Sequence, residues 1–187
     1  MQVSWYQQEP AVSLALIQGS EIPLSAPIID VGGGASVLVD RLLSCGYGQL
    51  TVLDIAAGAL DVARTRLGCE SKKVDWIVAD INSFKTAQKF ALWHDRALFH
   101  FLTEAEQRQR YLAVLGESLQ PGGHLIMGAF AVGGPDRCSN LPIVQYDGPK
   151  LLGELGSEFE LVEEVSELHH TPAGGGQQFN WFRLRKN

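Results

Sequence analysis

Ile28-Ile29-Asp30-Val31-Gly32-Gly33-Gly34 is the stretch on which the fold turns. An apolar run of strand character ends in three glycines. Residues 37–43 then carry a mixed helical face that closes at Cys45-Gly46, where a C-terminal glycine is expected. A strand that stops at glycines and passes straight into a helix opens a βαβ unit, and the same alternation recurs downstream. Residues 50–54 read as a second strand. Residues 59–67 read as a second helix, with Leu60, Ala63 and Leu67 at helical spacing and Gly68 behind them. Residues 74–78 form a third strand that ends at Ala79-Asp80, and residues 90–94 a fourth. Thr103-Glu104-Ala105-Glu106 has the form of a capping box and opens a helix to about Leu119. Gln120-Pro121-Gly122-Gly123 is a sharp turn before a fifth strand at residues 124–131.

The pattern then changes. Residues 132–149 are rich in Gly, Pro, Asp and Asn and read as a long loop, followed by a short helix over 150–155. Residues 159–168 and 178–184 read as two strands joined by a Gly-rich connection at 169–177. Repeated strand–helix units predict a parallel sheet with helices on both faces, and two final strands with no helix between them predict an antiparallel hairpin at one edge.

The 187 residues fit one domain, with 45% hydrophobic and 19% charged residues, the composition of an ordinary globular protein. The net charge of −6 disfavours a phosphate-tracking nucleic-acid binder, because the only basic cluster is the short end at Arg183-Leu184-Arg185-Lys186. The three cysteines, Cys45, Cys69 and Cys138, are odd in number and widely spaced. They predict neither a disulfide framework nor a cysteine zinc site, and they suit a reducing compartment. With no secretory h-region and no apolar run of spanning length, the expectation is a cytoplasmic protein with no membrane partner. His169-His170 resembles a metal pair, but neighbours on a strand point to opposite faces, so no metal is expected there.

In an open α/β sheet, ligands bind beyond the carboxyl ends of the strands, so the residues just after each strand carry the functional reading. Gly32, Gly33 and Gly34 let the backbone approach a ligand closely, beside the free N–H groups of a helix start. As a dinucleotide fingerprint the match is incomplete, since Val37 occupies the third glycine position. Asp54 follows the second strand, where a carboxylate can accept from both ribose hydroxyls or simply cap the next helix. Asp80-Ile81 follows the third, where an acid beside an apolar residue suits a purine ring and its amine, or serves as a turn.

In that order on successive strand ends, Asp30-Val31-Gly32-Gly33-Gly34 resembles the first motif of class I S-adenosylmethionine-dependent methyltransferases. Leu53-Asp54 is similar to the family's ribose-binding motif, Ala79-Asp80-Ile81 to its adenine position, and Leu119-Gln120-Pro121-Gly122-Gly123-His124-Leu125 to its turn before the fifth strand. The resemblance covers residue 28 to the end. It implies a doubly wound, seven-stranded, mostly parallel α/β sheet with an antiparallel C-terminal strand hairpin. The chain then divides into an N-terminal cap segment (1–27), cofactor-binding βα units (28–131) and a substrate-side loop with the terminal hairpin (132–187). The implied cofactor is S-adenosyl-L-methionine, with S-adenosyl-L-homocysteine as product. Asp30, the three glycines, Asp54, Ile55, Asp80, Ile81, Trp93 and His94 would hold it, with Trp5 folded over the sulfonium.

Methyl transfer from a sulfonium is an in-line displacement that demands alignment in a dry pocket. His94 is the candidate catalytic base or a contact to the methionine end of the cofactor, with a plain structural histidine as the alternative. Asp95 is read as substrate-side or as half of an internal ion pair with Arg96. Tyr6, Phe101 and Arg137 are the other substrate-side candidates, Arg137 as partner to a substrate carboxylate. The fourth-strand end lacks the N/D-P-P-Y signature of nucleic-acid amino-methyltransferases, so a small-molecule acceptor is expected, with a protein side chain as the alternative. A nicotinamide oxidoreductase and a non-catalytic cofactor-binding module are the rival readings.

Overall fold

In the computed structural model, which describes residues 7–170 and 175–187 with His170 by its backbone alone, strands and helices alternate as the sequence predicts. In chain order they are α1 (Ala11–Gly19), β1 (Pro27–Val31), α2 (Leu38–Ser44), β2 (Gln49–Asp54), α3 (Ala57–Leu67), β3 (Val74–Val78), β4 (Phe90–Arg96), α4 (Ala105–Ser118) and β5 (Leu119–Phe130). A small hairpin β6 (Arg137–Cys138) and β7 (Leu141–Pro142), α5 (Gly148–Leu155), β8 (Phe159–His170) and β9 (Gly176–Lys186) complete the chain. Among the described residues the main sheet has seven strands in the order β3-β2-β1-β4-β5-β9-β8. The first five are parallel, and β9 pairs antiparallel with both β5 and β8. This is the expected doubly wound sheet with its antiparallel hairpin.

The two layers of core follow from strand periodicity. Ile29, Val31, Leu53, Trp93, Leu125 and Met127 pack against Tyr111 and Leu115 of α4 and Leu151 and Leu155 of α5. Their neighbours Ile28, Leu50, Val52, Leu92 and Ile126 face the other way, onto Leu16 and Ile17 of α1, Leu38 and Leu42 of α2 and Leu60 of α3. Each such side chain, fully buried, contributes about 1.5–3 kcal/mol.

Several boundaries depart from expectation for physical reasons. Glu104, not Thr103, caps α4, and its N–H donates to Gln107 Oε1 at 3.4 Å. β4 runs two residues further than the apolar pattern, because polar Asp95 and Arg96 keep ladder pairing with Met127 and Gly128. The Pro-Gly-Gly turn lies inside β5 as an irregularity: Phe90 pairs with Leu119 but Leu92 with His124, so residues 120–123 loop out opposite Ala91. The 132–149 segment contains the β6–β7 hairpin, with Ser139 and Asn140 in left-handed conformation at its turn. The terminal strands reach His170 and start at Gly176, shortening the predicted connection. α1 falls in the segment read only as a cap.

Candidate functional site

β1 and β4 are neighbours in the sheet although far apart in sequence, which makes their carboxyl ends the point where strand order reverses and a crevice opens. A groove runs across this edge. One part, of about 250 Å³, is lined by Asp30, the three glycines, Asp54, His94, Arg96 and Phe101. The other, of about 320 Å³, is lined by Asp54, Ile55, Asp80, Ile81 and Leu98, and the two share Gly32, Asp54, Ala97 and Phe101.

The glycine loop is sterically obligatory. Gly32 sits at φ +68°, and a Cβ there would lie 2.8 Å from Leu98 Cδ1. A Cβ on Gly33 would fall 2.6 Å from Asp30 Oδ2 and 2.7 Å from Val52 Cγ1. Arg66 of α3 fastens the loop from outside, donating to the carbonyls of Ala35 and Ser36 at 2.8 and 2.6 Å and pairing with Asp40 at 2.7 Å.

Register sets Asp30 directly opposite His94. His94 Nδ1 donates to Asp30 Oδ1 at 2.7 Å, and Nε2 meets the Ser13 hydroxyl of α1 at 3.0 Å. All three residues are buried. With both ring nitrogens engaged, the geometry fits a residue that fixes Asp30 better than a base that must collect a proton. Asp54 Oδ1 accepts the Ala56 N–H at 2.8 Å. Burial raises its pKa and the nearby Asp30 charge adds to the rise, while backbone N–H groups, Ala56 first, pull it down. Asp80 accepts from the Asn82 backbone N–H at 2.9 Å and from its side-chain amide at 3.2 Å, while Ile81 beside it is buried and Ile55 is exposed at the rim.

Three expected site residues belong elsewhere. Trp93 is fully buried on the α4 face, donating from Nε1 to Tyr111 Oη at 2.9 Å, and it lines neither part of the groove. Asp95 points the same way and is fully buried. It accepts from Tyr111 Oη at 2.6 Å and from the N–H groups of Leu98 and Phe99 at 2.9 and 3.2 Å. Burial pushes its pKa up to about 6 against those donors. The expected Asp95–Arg96 ion pair is not formed among the described residues, because successive strand residues face opposite sides; Arg96 donates to Gln7 Oε1. Arg137 is exposed and donates to Asn140 O of its own hairpin at 2.7 Å, outside the groove lining. Trp5 and Tyr6 lie outside the described residues.

The groove also holds residues that the sequence reading did not assign: Ser36, Ala97, Gln177 and Phe179, with Ser13 behind His94. Cys138 lines it too. Ala97 stands at φ +65°, a left-handed non-glycine conformation at the end of β4. Only tertiary convergence brings these together, and no local signal marks them.

A doubly wound sheet of this order, with acidic residues on three successive strand ends and a glycine loop between them, is a Rossmann-like α/β scaffold. A model of the methyltransferase domain matches residues 28–123, more than half of the chain. The chain belongs to this family, the class I S-adenosylmethionine-dependent methyltransferases. Nodulation protein S of Sinorhizobium fredii is 28% identical over 124 residues, covering 66% of this chain and 56% of that protein. The chain spans about half the length of the curated relatives it matches. Among solved structures, the N-methyltransferase NodS from Bradyrhizobium japonicum WM9, in complex with S-adenosyl-L-homocysteine, is similar with a TM-score of 0.71 at 20% identity, over 96% of this chain and 89% of that one. The Burkholderia thailandensis 1,6-didemethyltoxoflavin-N1-methyltransferase, with its acceptor and S-adenosylhomocysteine bound, gives 0.76 at 20% identity, over 95% of this chain and 77% of that one. These likenesses show the fold.

Proposed function

We propose that the chain transfers a methyl group from S-adenosylmethionine to a small-molecule acceptor. The observation that carries this is the continuous groove from the Asp30–glycine loop past Asp54 to Asp80 and Ile81. The residues present fit the donor. Side chains at Gly32 and Gly33 would collide with the loop's own neighbours, so the groove floor there is bare backbone. In this reading the Asp54 carboxylate at the β2 end accepts from a ribose diol and Asp80 from an exocyclic amine, and the lining by Ile81 and Leu98 as apolar walls supports it. S-adenosylmethionine supplies, when bound, a methyl group on a positively charged sulfur.

The chain's own work is alignment and exclusion of water. Asp30, held by His94, fixes the strand end beneath the glycine loop, and Phe101, spanning both parts of the groove, shields the transfer path. His94 is a positioning residue in this reading. The names of two solved structures of similar fold, a 1,6-didemethyltoxoflavin-N1-methyltransferase and an N-methyltransferase, support the substrate class, and a protein side chain is the second reading. The free cysteines suit a cytoplasmic setting. Among the described residues no helix is long and apolar enough to cross a membrane.

Calorimetric titration with S-adenosylmethionine and S-adenosylhomocysteine, with NADH and NADPH as controls, tests the reading. Binding of the first pair alone is expected. Removing two charge-assisted acceptor positions in Asp54→Ala is expected to weaken it by at least about thirtyfold. Binding of the nicotinamides alone, or unchanged donor affinity in Asp54→Ala, would overturn it.

A further inference from the structure

Gln7 closes a narrow wedge, with about 10 Å³ left free, that opens off the groove. Arg96, Ala97 and Phe179 belong to both, and Gln7, Glu167, His169 and Trp181 complete the wedge. Its sides come from three strands: Arg96 ends β4, Glu167 and His169 lie on β8, and Trp181 lies on β9. The Gln7 carboxamide is read from both sides. Its Oε1 accepts from Arg96 Nη1, and its Nε2 donates to Glu167 Oε1 at 2.9 Å and reaches His169 Nδ1 at 3.3 Å. Glu167 is itself held, since Oε2 accepts from the indole N–H of buried Trp181 at 2.7 Å.

A guanidinium and a carboxylate facing one small volume select their guest by charge. A carboxylate guest meets Glu167 and an ammonium guest meets Arg96, each an unfavourable like-charge contact in a partly buried site. A neutral group with an acceptor and a donor side by side satisfies both walls, and the side chain of Gln7 is such a group.

We propose that Arg96 and Glu167 form the recognition site for the methyl acceptor, and that the acceptor presents a neutral carboxamide or lactam edge on a flat apolar frame. Gln7 is its internal stand-in and leaves when the acceptor enters. The frame lies along Ala97 and Phe179, the walls that the wedge and the groove share, with its reactive atom toward the donor end. The carboxamide is the handle, not the methylated atom. The proposal rests on the methyltransferase reading for the word acceptor, but recognition of the handle is measurable without a donor.

The test is calorimetric titration of the wild type and of Gln7→Ala with benzamide, benzoate and benzylamine, one frame carrying three charges. S-adenosylhomocysteine is titrated separately. Benzamide is expected to bind Gln7→Ala at least about tenfold more tightly than the wild type, because the competing side chain is gone. Benzoate and benzylamine are expected to bind at least about tenfold more weakly than benzamide. Glu167→Gln should restore benzoate binding toward that of benzamide. Gln7→Glu, which sets a carboxylate against Glu167, should expel the side chain and reproduce the gain independently of how Gln7→Ala folds. Benzamide binding no tighter in either Gln7 variant than in the wild type, or no tighter than its charged analogues, overturns the proposal. Failure of S-adenosylhomocysteine to bind strikes the methyltransferase reading alone and leaves the probe series to decide the handle.

Discussion

His100 is expected to make this protein acid-sensitive, and His100→Leu to remove that sensitivity. The imidazole is fully buried, with its ring centre 4.5 Å from that of Phe101 and 5.1 Å from that of Phe130. Neither ring nitrogen has a hydrogen-bond partner among the described residues. Burial pushes its pKa down from 6.5 to about 3, so the folded state holds it neutral while the unfolded chain protonates it near its ordinary value. A depressed folded pKa contributes stability that is fully present above 6.5 and is lost as pH falls toward 3. Within that window the loss approaches about 1.4 kcal/mol per pH unit, so moving from pH 7 to pH 5 costs about 2 kcal/mol through this one ring. Asp95 works in the opposite direction. Its folded pKa is raised from 3.8 to about 6, so its contribution improves as pH falls through 6. That term is common to both proteins and cancels in the difference. Urea denaturation of the wild type and His100→Leu at pH 7.5, 6 and 5, with equal m-values, reads the difference directly. The gap should move by about 2 kcal/mol in favour of the variant between pH 7 and pH 5. At pH 7.5 the variant should be at least as stable, since it removes two unpartnered polar nitrogens worth about 1–3 kcal/mol each. Parallel loss of stability in both proteins as pH falls would refute a buried neutral imidazole.

Tyr111→Phe removes the hydroxyl that donates to Asp95, and should destabilise the protein by about 2–3 kcal/mol at pH 8. Because Asp95 is largely protonated at pH 5, the loss there should be smaller; denaturation at the two pH values checks the sign. Gly33→Ala places a methyl against Asp30 Oδ2 and Val52, and should lower stability by about 1–3 kcal/mol while raising the donor's dissociation constant at least about tenfold, as read by thermal unfolding and calorimetry.

What the sequence made legible were the features that end a strand. Asp30, the three glycines, Asp54 and Asp80 each follow an apolar run by one or two residues, so local pattern alone puts them on one edge of the sheet. Convergence from distant segments was not legible. Ser13 reaches His94 only because α1 packs on the sheet face that His94 presents, and Gln7 reaches Arg96 only because the chain ahead of α1 passes the end of β4. The misplacement of Trp93 has another origin. Trp93 and His94 were read together as cofactor contacts, yet adjacent residues of a strand cannot face the same side. Alternation alone sends Trp93 to α4 once His94 is paired with Asp30. Arg137 shows the limit of composition: a loop arginine looks available until its hairpin turn supplies the Asn140 carbonyl.

That alternation also explains how one strand end organises both halves of the groove. His94 faces α1 and holds Asp30, so it governs the strand beneath the glycine loop. Asp95 faces α4, and through the Leu98 and Phe99 N–H groups it fixes the turn that carries Leu98 and Phe101. Leu98 in turn lies beside Gly32, where a Cβ would meet its Cδ1 at 2.8 Å, so the turn abuts the glycine loop. Arg96 returns to the first face, at the wedge where Gln7 docks. Three consecutive residues thus connect the strand beneath the glycine loop, the turn that carries Leu98 and Phe101, and the wedge where Gln7 docks. A change at Asp95, which touches no ligand position itself, should therefore be felt at Gly32 through Leu98, whereas a change at Trp93 should act on the α4 core and leave the groove's shape intact.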